Sequence, residues 1–196
     1  MLTSRKPRPL VREIAQRDTR LIVIATEGEH TEKIYFNSFK SRRVQIVTLP
    51  TVDGHSAPAA VADRLALYAE EYQLSAEDEL WIVVDRDRWP EKDLSEIGED
   101  CYKDIRKGFA LSNPCFEVWL SFHYTDQIPE DLKSKNAEKF FRALHGSFQK
   151  SNYDTSTLMP RVQDAINRAR AKDTEGGRWP SPPGSRVYLL VESLLR

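Results

Sequence analysis

Two short apolar runs, each ending in acid, constrain this chain more than any other feature. Arg20-Leu-Ile-Val-Ile-Ala-Thr26 leads into Glu27-Gly28, and Leu80-Trp-Ile-Val-Val84 leads into Asp85-Arg-Asp87. Their length and Val/Ile content are those of buried strands. Asp85 then sits at the C-terminal end of its strand and Asp87 in the loop beyond. In open α/β sheets that edge is where ligands bind. Two carboxylates one residue apart can face one small cavity, and hard divalent cations favour a cavity of oxygens. Taken alone, Asp-Arg-Asp-Arg reads equally well as a solvated turn of alternating charge. Glu27 shifts the balance, because it holds on its own strand the position that Asp85 holds on the other. Gly28 permits positive φ or close backbone approach there. Thr31 is read as a helix cap, with Glu32 placing negative charge in the first turn.

The elements between and after these runs alternate. A helix is expected from about Thr31 to Ser41, its sheet face formed by Ile34, Tyr35 and Phe39. Lys40, Arg42 and Arg43 follow it and complement its dipole. Val44–Leu49 is a second strand. Ser56 as cap with Pro58 in the first turn starts a helix whose apolar face is Val61, Leu65, Tyr68 and Tyr72. After the Asp pair, a helix from about Lys92 to Lys107 carries Leu94, Ile97, Cys101 and Ile105 on one face, with Gly108 as its stop. Phe109–Leu111 is a short fourth strand. Asn113 as cap and Pro114 at the first helical position start the next helix. That start puts Glu117 in the first turn, where it either faces the Glu27 and Asp85 rim or only complements the helix dipole. His123 shares a face with Phe116 and Leu120 and reads as a core residue. His30 and His55 fall near the rim, where solvated loop histidines are the commoner outcome.

From Tyr124 the strand–helix rhythm stops. Helices are expected at about Asn136–His145, Leu158–Ala171 and from Gly184-Ser185 onward. The second of these turns Val162, Ala165, Ile166 and Ala169 inward and carries Arg161 and Arg168. The last has Val187, Leu190, Val191 and Leu194 as its face. The chain thus divides into a basic arm over residues 1–18, an α/β core over 19–125 and a helical extension packed on the core over 126–196.

Four blocks taken together are more specific than any one. Glu27-Gly-Glu-His-Thr-Glu-Lys-Ile-Tyr-Phe36, Asp85-Arg-Asp87, Ser112-Asn-Pro-Cys-Phe-Glu-Val-Trp-Leu120 and Gly184-Ser-Arg-Val-Tyr-Leu-Leu-Val191 resemble, in this order, the RloB-like family. That family is a group of bacterial Toprim proteins linked to restriction and phage-defence loci. The resemblance implies a Toprim-like four-stranded parallel sheet with helices on both faces and a C-terminal helical cap. It implies that strands one and three lie close, so that Glu27, Asp85, Asp87 and Glu117 form a catalytic cluster holding Mg²⁺ or Mn²⁺. The implied activity is metal-dependent cleavage of phosphodiester bonds in DNA or RNA. The implied partner is an ATPase of the ABC or OLD type, in an abortive-infection role. The backbone of the nucleic acid would be guided by Lys40, Arg42 and Arg43, or by the basic faces near Arg161 and Arg168. The rival reading is a non-catalytic module that binds metal and nucleic acid or docks on the ATPase.

Composition limits the rest. Net charge is -1 with 30% charged residues, so nucleic-acid binding must rest on a local patch. No helix-turn-helix, zinc finger or aromatic strand motif is present to read bases. Cys101 and Cys115 show neither metal-ligand spacing nor a disulfide framework, as expected of thiols in a reducing cytoplasm. No apolar stretch reaches the length of a membrane span, and the basic N-terminus lacks the apolar region of a secretory signal. Oligomeric state stays open, a homo-oligomer included.

Overall fold

A computed structural model describes residues 19–72, 74–87, 89–173 and 177–196. The expected basic arm, Arg88 and residues 174–176 of the Gly/Pro loop lie outside the described residues. The alternation within the first strand decides the layering. Arg20–Thr26 (β1) sends Leu21, Val23 and Ala25 into one apolar cluster and Ile22 and Ile24 into another, all of them buried. A strand buried on both faces belongs in the interior of a parallel sheet. β1 is flanked in parallel by Val44–Leu49 (β2) and Glu79–Asp85 (β3). Lys107–Asn113 (β4) runs parallel beside β3, and the two-residue Gly184–Ser185 (β5) pairs antiparallel with the end of β4. The sheet order is β2-β1-β3-β4-β5.

Seven α-helices are named among the described residues: Thr31–Phe36 (α1), Pro58–Glu71 (α2), Glu91–Lys103 (α3), Phe116–Phe122 (α4), Ser134–His145 (α5), Val162–Lys172 (α6) and Val187–Leu195 (α7). Val61 and Leu65 of α2 with Leu94 and Cys101 of α3 cover the Leu21/Val23 face. α1 and α4–α7 cover the Ile22/Ile24 face through residues such as Tyr35, Trp119, Phe141, Ile166 and Leu190. The connection from β1 to β2 moves one way along the sheet, and those from β2 to β3 and β3 to β4 move the other way. Right-handed crossovers must then place α1 on the face opposite α2 and α3. The direction of winding reverses between β1 and β3. The architecture is α/β, with helices on both faces of a mostly parallel sheet and a terminal helix packed on it, consistent with a Toprim-like fold.

Several element ends differ from the sequence expectation, each for a local reason. α1 stops at Phe36, because Ser38 and Phe39 donate to carbonyls three residues back and tighten the chain out of the helix. α1 is preceded by His30, so Thr31 is its first residue and not its cap. Asn113 does not cap α4: it pairs with Gly184, and its side-chain amide donates to Pro180 O at 2.9 Å. Cys115 takes the cap position. α3 ends at Lys103, where the Asp104 carboxylate accepts the Arg106 backbone N–H at 3.0 Å and turns the chain. That turn leaves Ile105 fully exposed and makes Gly108 a residue of β4. Gly184-Ser185 is a fifth strand and not a helix start. The Arg186 side chain then spans Asp173 and the carbonyls of Gly177 and Arg178, tying the preceding loop to the strand.

Candidate active site

The reversal of winding between β1 and β3 opens a crevice at the carboxyl ends of those strands, the standard ligand position in an open α/β sheet. Sequence places acid at both lips. Glu27 continues β1, its N–H donating to Val83 O at 2.9 Å, while its Oε2 accepts the backbone N–H of Asp85 at 3.0 Å. The two acidic strand ends are therefore joined directly. Arg86 N–H donates to Ser112 O at 2.8 Å, which pins the end of β3 to β4. α4 begins just past β4 and carries Glu117 in its first turn, almost wholly buried.

A fourth acid enters from α1. Glu32 turns back so that its Oε1 accepts the Gly28 N–H at 3.0 Å. A Cβ on residue 28 would lie 2.0 Å from Glu32 Oε2, so glycine serves here through close approach and not through positive φ. Glu27, Glu32, Asp85 and Glu117 line one cavity of about 190 Å³. Lys150, from the segment between α5 and α6, also lines it and places its Nζ 3.0 Å from Glu117 Oε1.

Electrostatics follow from that crowding. Burial, then Glu117 and Glu27, raise the Glu32 carboxyl to about 7 against the opposing pull of its backbone hydrogen bonds. Burial and the charges of Glu27, Glu32, Glu117 and Asp87 push the Asp85 carboxyl well above the carboxylate range. Burial works against the Lys150 ammonium, but Glu117 and Asp85 more than offset it and hold its pKa above the ordinary lysine value. Carboxylates in a desolvated space resist simultaneous ionisation unless positive charge joins them.

All-oxygen, carboxylate-rich surroundings suit Mg²⁺ or Mn²⁺ chemically, and the unbalanced negative charge is what a divalent cation neutralises. Among the described residues, no three His, Cys, Asp or Glu side chains are grouped as a ready metal cage. The reason is visible in their present partners: Glu27 takes the Asp85 N–H, Glu32 the Gly28 N–H and Glu117 the Lys150 ammonium.

Of the residues singled out from sequence, Glu27, Asp85 and Glu117 share this cavity. Asp87 is exposed and lines an adjoining cavity of about 730 Å³ with Arg86, Lys133 and Lys135, near enough to act on Asp85 by its charge. Arg42 and Arg43 immediately precede β2, and Arg43 O accepts the N–H of Arg20 at the start of β1. They lie, with Lys40 before them, at the amino edge of the sheet, about 20 Å from the carboxylates at ~3.3 Å per strand residue. Arg161 sits over the Tyr124 ring at 4.9 Å, and Arg168 donates to Phe122 O at 2.7 Å, at the far end of α4 from Glu117. His123 is buried, its Nε2 3.0 Å from the Tyr35 hydroxyl. His30 lines the cavity but is exposed beside Glu29, and His55 is exposed on the loop after β2.

Glu32 and Lys150, with the exposed Glu29, are charged cavity residues to which sequence reading assigns no site role. Glu32 had a signal in its place five residues after Glu27 on the same strand–helix turn. Lys150 had none, being a lysine in a polar stretch far along the chain. No helix among the described residues is long and apolar enough to cross a membrane. Neither the curated proteins nor the solved structures searched contain a match to the chain. The family profile described as RloB-like protein matches residues 22–194, from β1 into α7, and so takes in every acid of the cavity. The chain belongs to the RloB-like protein family.

Proposed function

We propose that this chain is a metal-dependent nuclease cleaving phosphodiester bonds of DNA or RNA. One observation carries the reading: acids from three separate parts of the chain, Glu27, Asp85 and Glu117, meet in one cavity at the winding reversal of the sheet. In this reading Glu27, Asp85 and Glu117 hold Mg²⁺ or Mn²⁺, and Asp87 adds its charge from the adjoining cavity. A divalent cation so held offsets the negative charge that develops on phosphate during hydrolysis. Glu27, fixed against the Asp85 backbone, also stands where it can accept a proton from water. Phe116, buried and among the lining residues, adds an apolar side chain to the cavity. Lys40, Arg42 and Arg43, with Arg161 and Arg168, are proposed to bind backbone at a distance from the cavity and not at the scissile phosphate. The wider role, an anti-phage effector working with an ABC- or OLD-type ATPase, rests on the family and on no residue described above.

The test is incubation of plasmid, single-stranded DNA and tRNA with the protein under Mg²⁺, Mn²⁺ or EDTA. Cleavage that EDTA stops, and that Asp85→Ala abolishes while leaving the melting curve cooperative, is the expected result. Undiminished cleavage by Asp85→Ala removes the catalytic assignment. The ion pair of Glu117 with Lys150 favours a second reading, in which the lysine satisfies the acids permanently and the domain only binds. Nucleic-acid binding that is indifferent to metal, without cleavage, would select that alternative.

A further inference from the structure

Lys150, the one lysine lining the carboxylate cavity among the described residues, is held in an unusual way. Its backbone is anchored to the very turn that carries Glu32: Thr31 Oγ1 donates to Lys150 O at 3.4 Å, and the Tyr153 hydroxyl donates to Thr31 O at 2.8 Å. Phe148 and Tyr153, on either side of it, are both buried in the core beside α5. The main chain of this segment is thus fixed against the site. The side chain is not. Its 57% exposure contrasts with 6% for the Glu117 side chain it meets, so the ammonium bridges the interior and the solvent. Glu117 is the partner that holds it there, at 3.0 Å.

Charge decides what that lysine can do. Five carboxylates line the cavity, Glu27, Glu32, Asp85 and Glu117 with the exposed Glu29, and one ammonium cannot neutralise them all once they are ionised. A divalent cation drawn to Glu27, Asp85 and Glu117 would meet the ammonium at Glu117, and the two positive charges would repel in a desolvated space. A four-carbon stem with free rotation and three donors lets the lysine leave without backbone movement. Outside the cavity mouth its natural acceptor is the anion the acids themselves repel, a phosphate oxygen.

Resting on the metal-dependent reading above, we infer that Lys150 is a counter-cation displaced from Glu117 by the divalent ion, and that the freed ammonium contacts the phosphate of the bound nucleic acid. Metal and ammonium are therefore antagonists at Glu117 and allies at the substrate. Arginine at this position keeps the charge and grips a carboxylate through two donors, so it holds Glu117 at least as firmly against the metal.

Full-length wild type, Lys150→Met and Lys150→Arg are titrated with Mn²⁺ while free ion is followed by its paramagnetic resonance signal. Removal of the competitor should tighten Mn²⁺ binding by about five-fold or more, the lower end of ordinary coupling between sites, and Lys150→Arg should bind Mn²⁺ no more tightly than wild type. Binding of a fluorescent phosphorothioate single strand is then followed by anisotropy at saturating Mn²⁺. Lys150→Met should bind it more weakly, with a salt dependence flatter by about 0.7 log units per log unit of salt, the loss of one phosphate contact. Should Lys150→Met melt below the assay temperature, Lys150→Gln, which retains a donor toward Glu117, carries the same expectations. Equal or weaker Mn²⁺ binding after removal of the lysine overturns the displacement. An unchanged salt slope overturns the phosphate contact. A wild-type protein that takes up no Mn²⁺ sinks the metal reading itself, and this inference with it.

Discussion

Replacing Glu32 by glutamine should stabilise the metal-free protein, and the gain should depend on pH in a way that identifies its cause. The carboxyl lies near 7 in the folded state against an ordinary value of 4.5. A raised carboxyl favours folding below its unfolded value and loses that advantage as pH rises through the folded one. Taking the difference, 7 − 4.5 = 2.5 units, at about 1.4 kcal/mol per unit gives about 3 kcal/mol against the folded state above pH 7. Glutamine has the same shape, can still accept the Gly28 N–H and carries no charge, so it removes that cost. For a chain of this size, about 3 kcal/mol corresponds to roughly 6–12 °C in melting temperature. Thermal or urea denaturation in EDTA at pH 8 and pH 4.5 reads it directly. The expected result is a large gain at pH 8 that shrinks to a few tenths of a kcal/mol, about 0.4, at pH 4.5. A variant no more stable than wild type at pH 8, or one with the same offset at both pH values, refutes the crowded-carboxylate account.

Other expectations follow from the same contacts. His123 is buried with its pKa pushed down to about 4, mainly by burial. It therefore takes up a proton on unfolding, and stability falls as pH drops from about 6.5 to about 4. Between pH 4.5 and 6.5 this slope opposes those of the raised carboxyls Glu32 and Asp85, so His123→Phe should steepen the rise in stability as pH falls, while Glu32→Gln should lessen it. Gly28→Ala brings a Cβ against the Glu32 carboxylate at 2.0 Å, which should cost about 1–3 kcal/mol by overpacking and lower any metal-dependent cleavage. Cleavage that survives Gly28→Ala at the wild-type rate would show that the Glu32 turn is not part of the working site. Charge removal at Arg42 and Arg43, remote from the cavity, should weaken nucleic-acid affinity and flatten its salt dependence with the maximal cleavage rate kept. A fall in that rate at saturating substrate would contradict their placement.

Much of the sheet is legible before any coordinates, because strands buried on both faces leave dense apolar runs that few alternatives can produce. β2 spans Val44–Leu49 as read, and the inward faces of α6 and α7 are as read because period and burial agree there. The ends of elements are less legible, since tertiary hydrogen bonds set them. Asn113 has every local mark of a cap, yet Pro180 O and the pairing with Gly184 claim it. Glu32 illustrates the same limit within the site. A local rule assigns an acid in a first turn to the helix dipole, while the folded chain aims it at the Gly28 N–H in a cavity it shares with Glu27, Asp85 and Glu117. Lys150 meets Glu117 across the fold, and no local pattern announces such a contact. Charge alone marked Arg42 and Arg43 as backbone contacts. Strand polarity, which puts residues preceding β2 at the edge away from Glu27, is the feature of the sequence that locates them.

The most direct measurement is the anomalous difference density of crystals soaked in Mn²⁺. A single dominant peak in the cavity between β1, β3 and α4, within ligating distance of oxygens of Glu27, Asp85 and Glu117 and with the Lys150 ammonium withdrawn from Glu117, is what the account predicts. A Mn²⁺ peak bound elsewhere on the chain, with Lys150 still seated on Glu117 and the carboxylates unmoved, contradicts it.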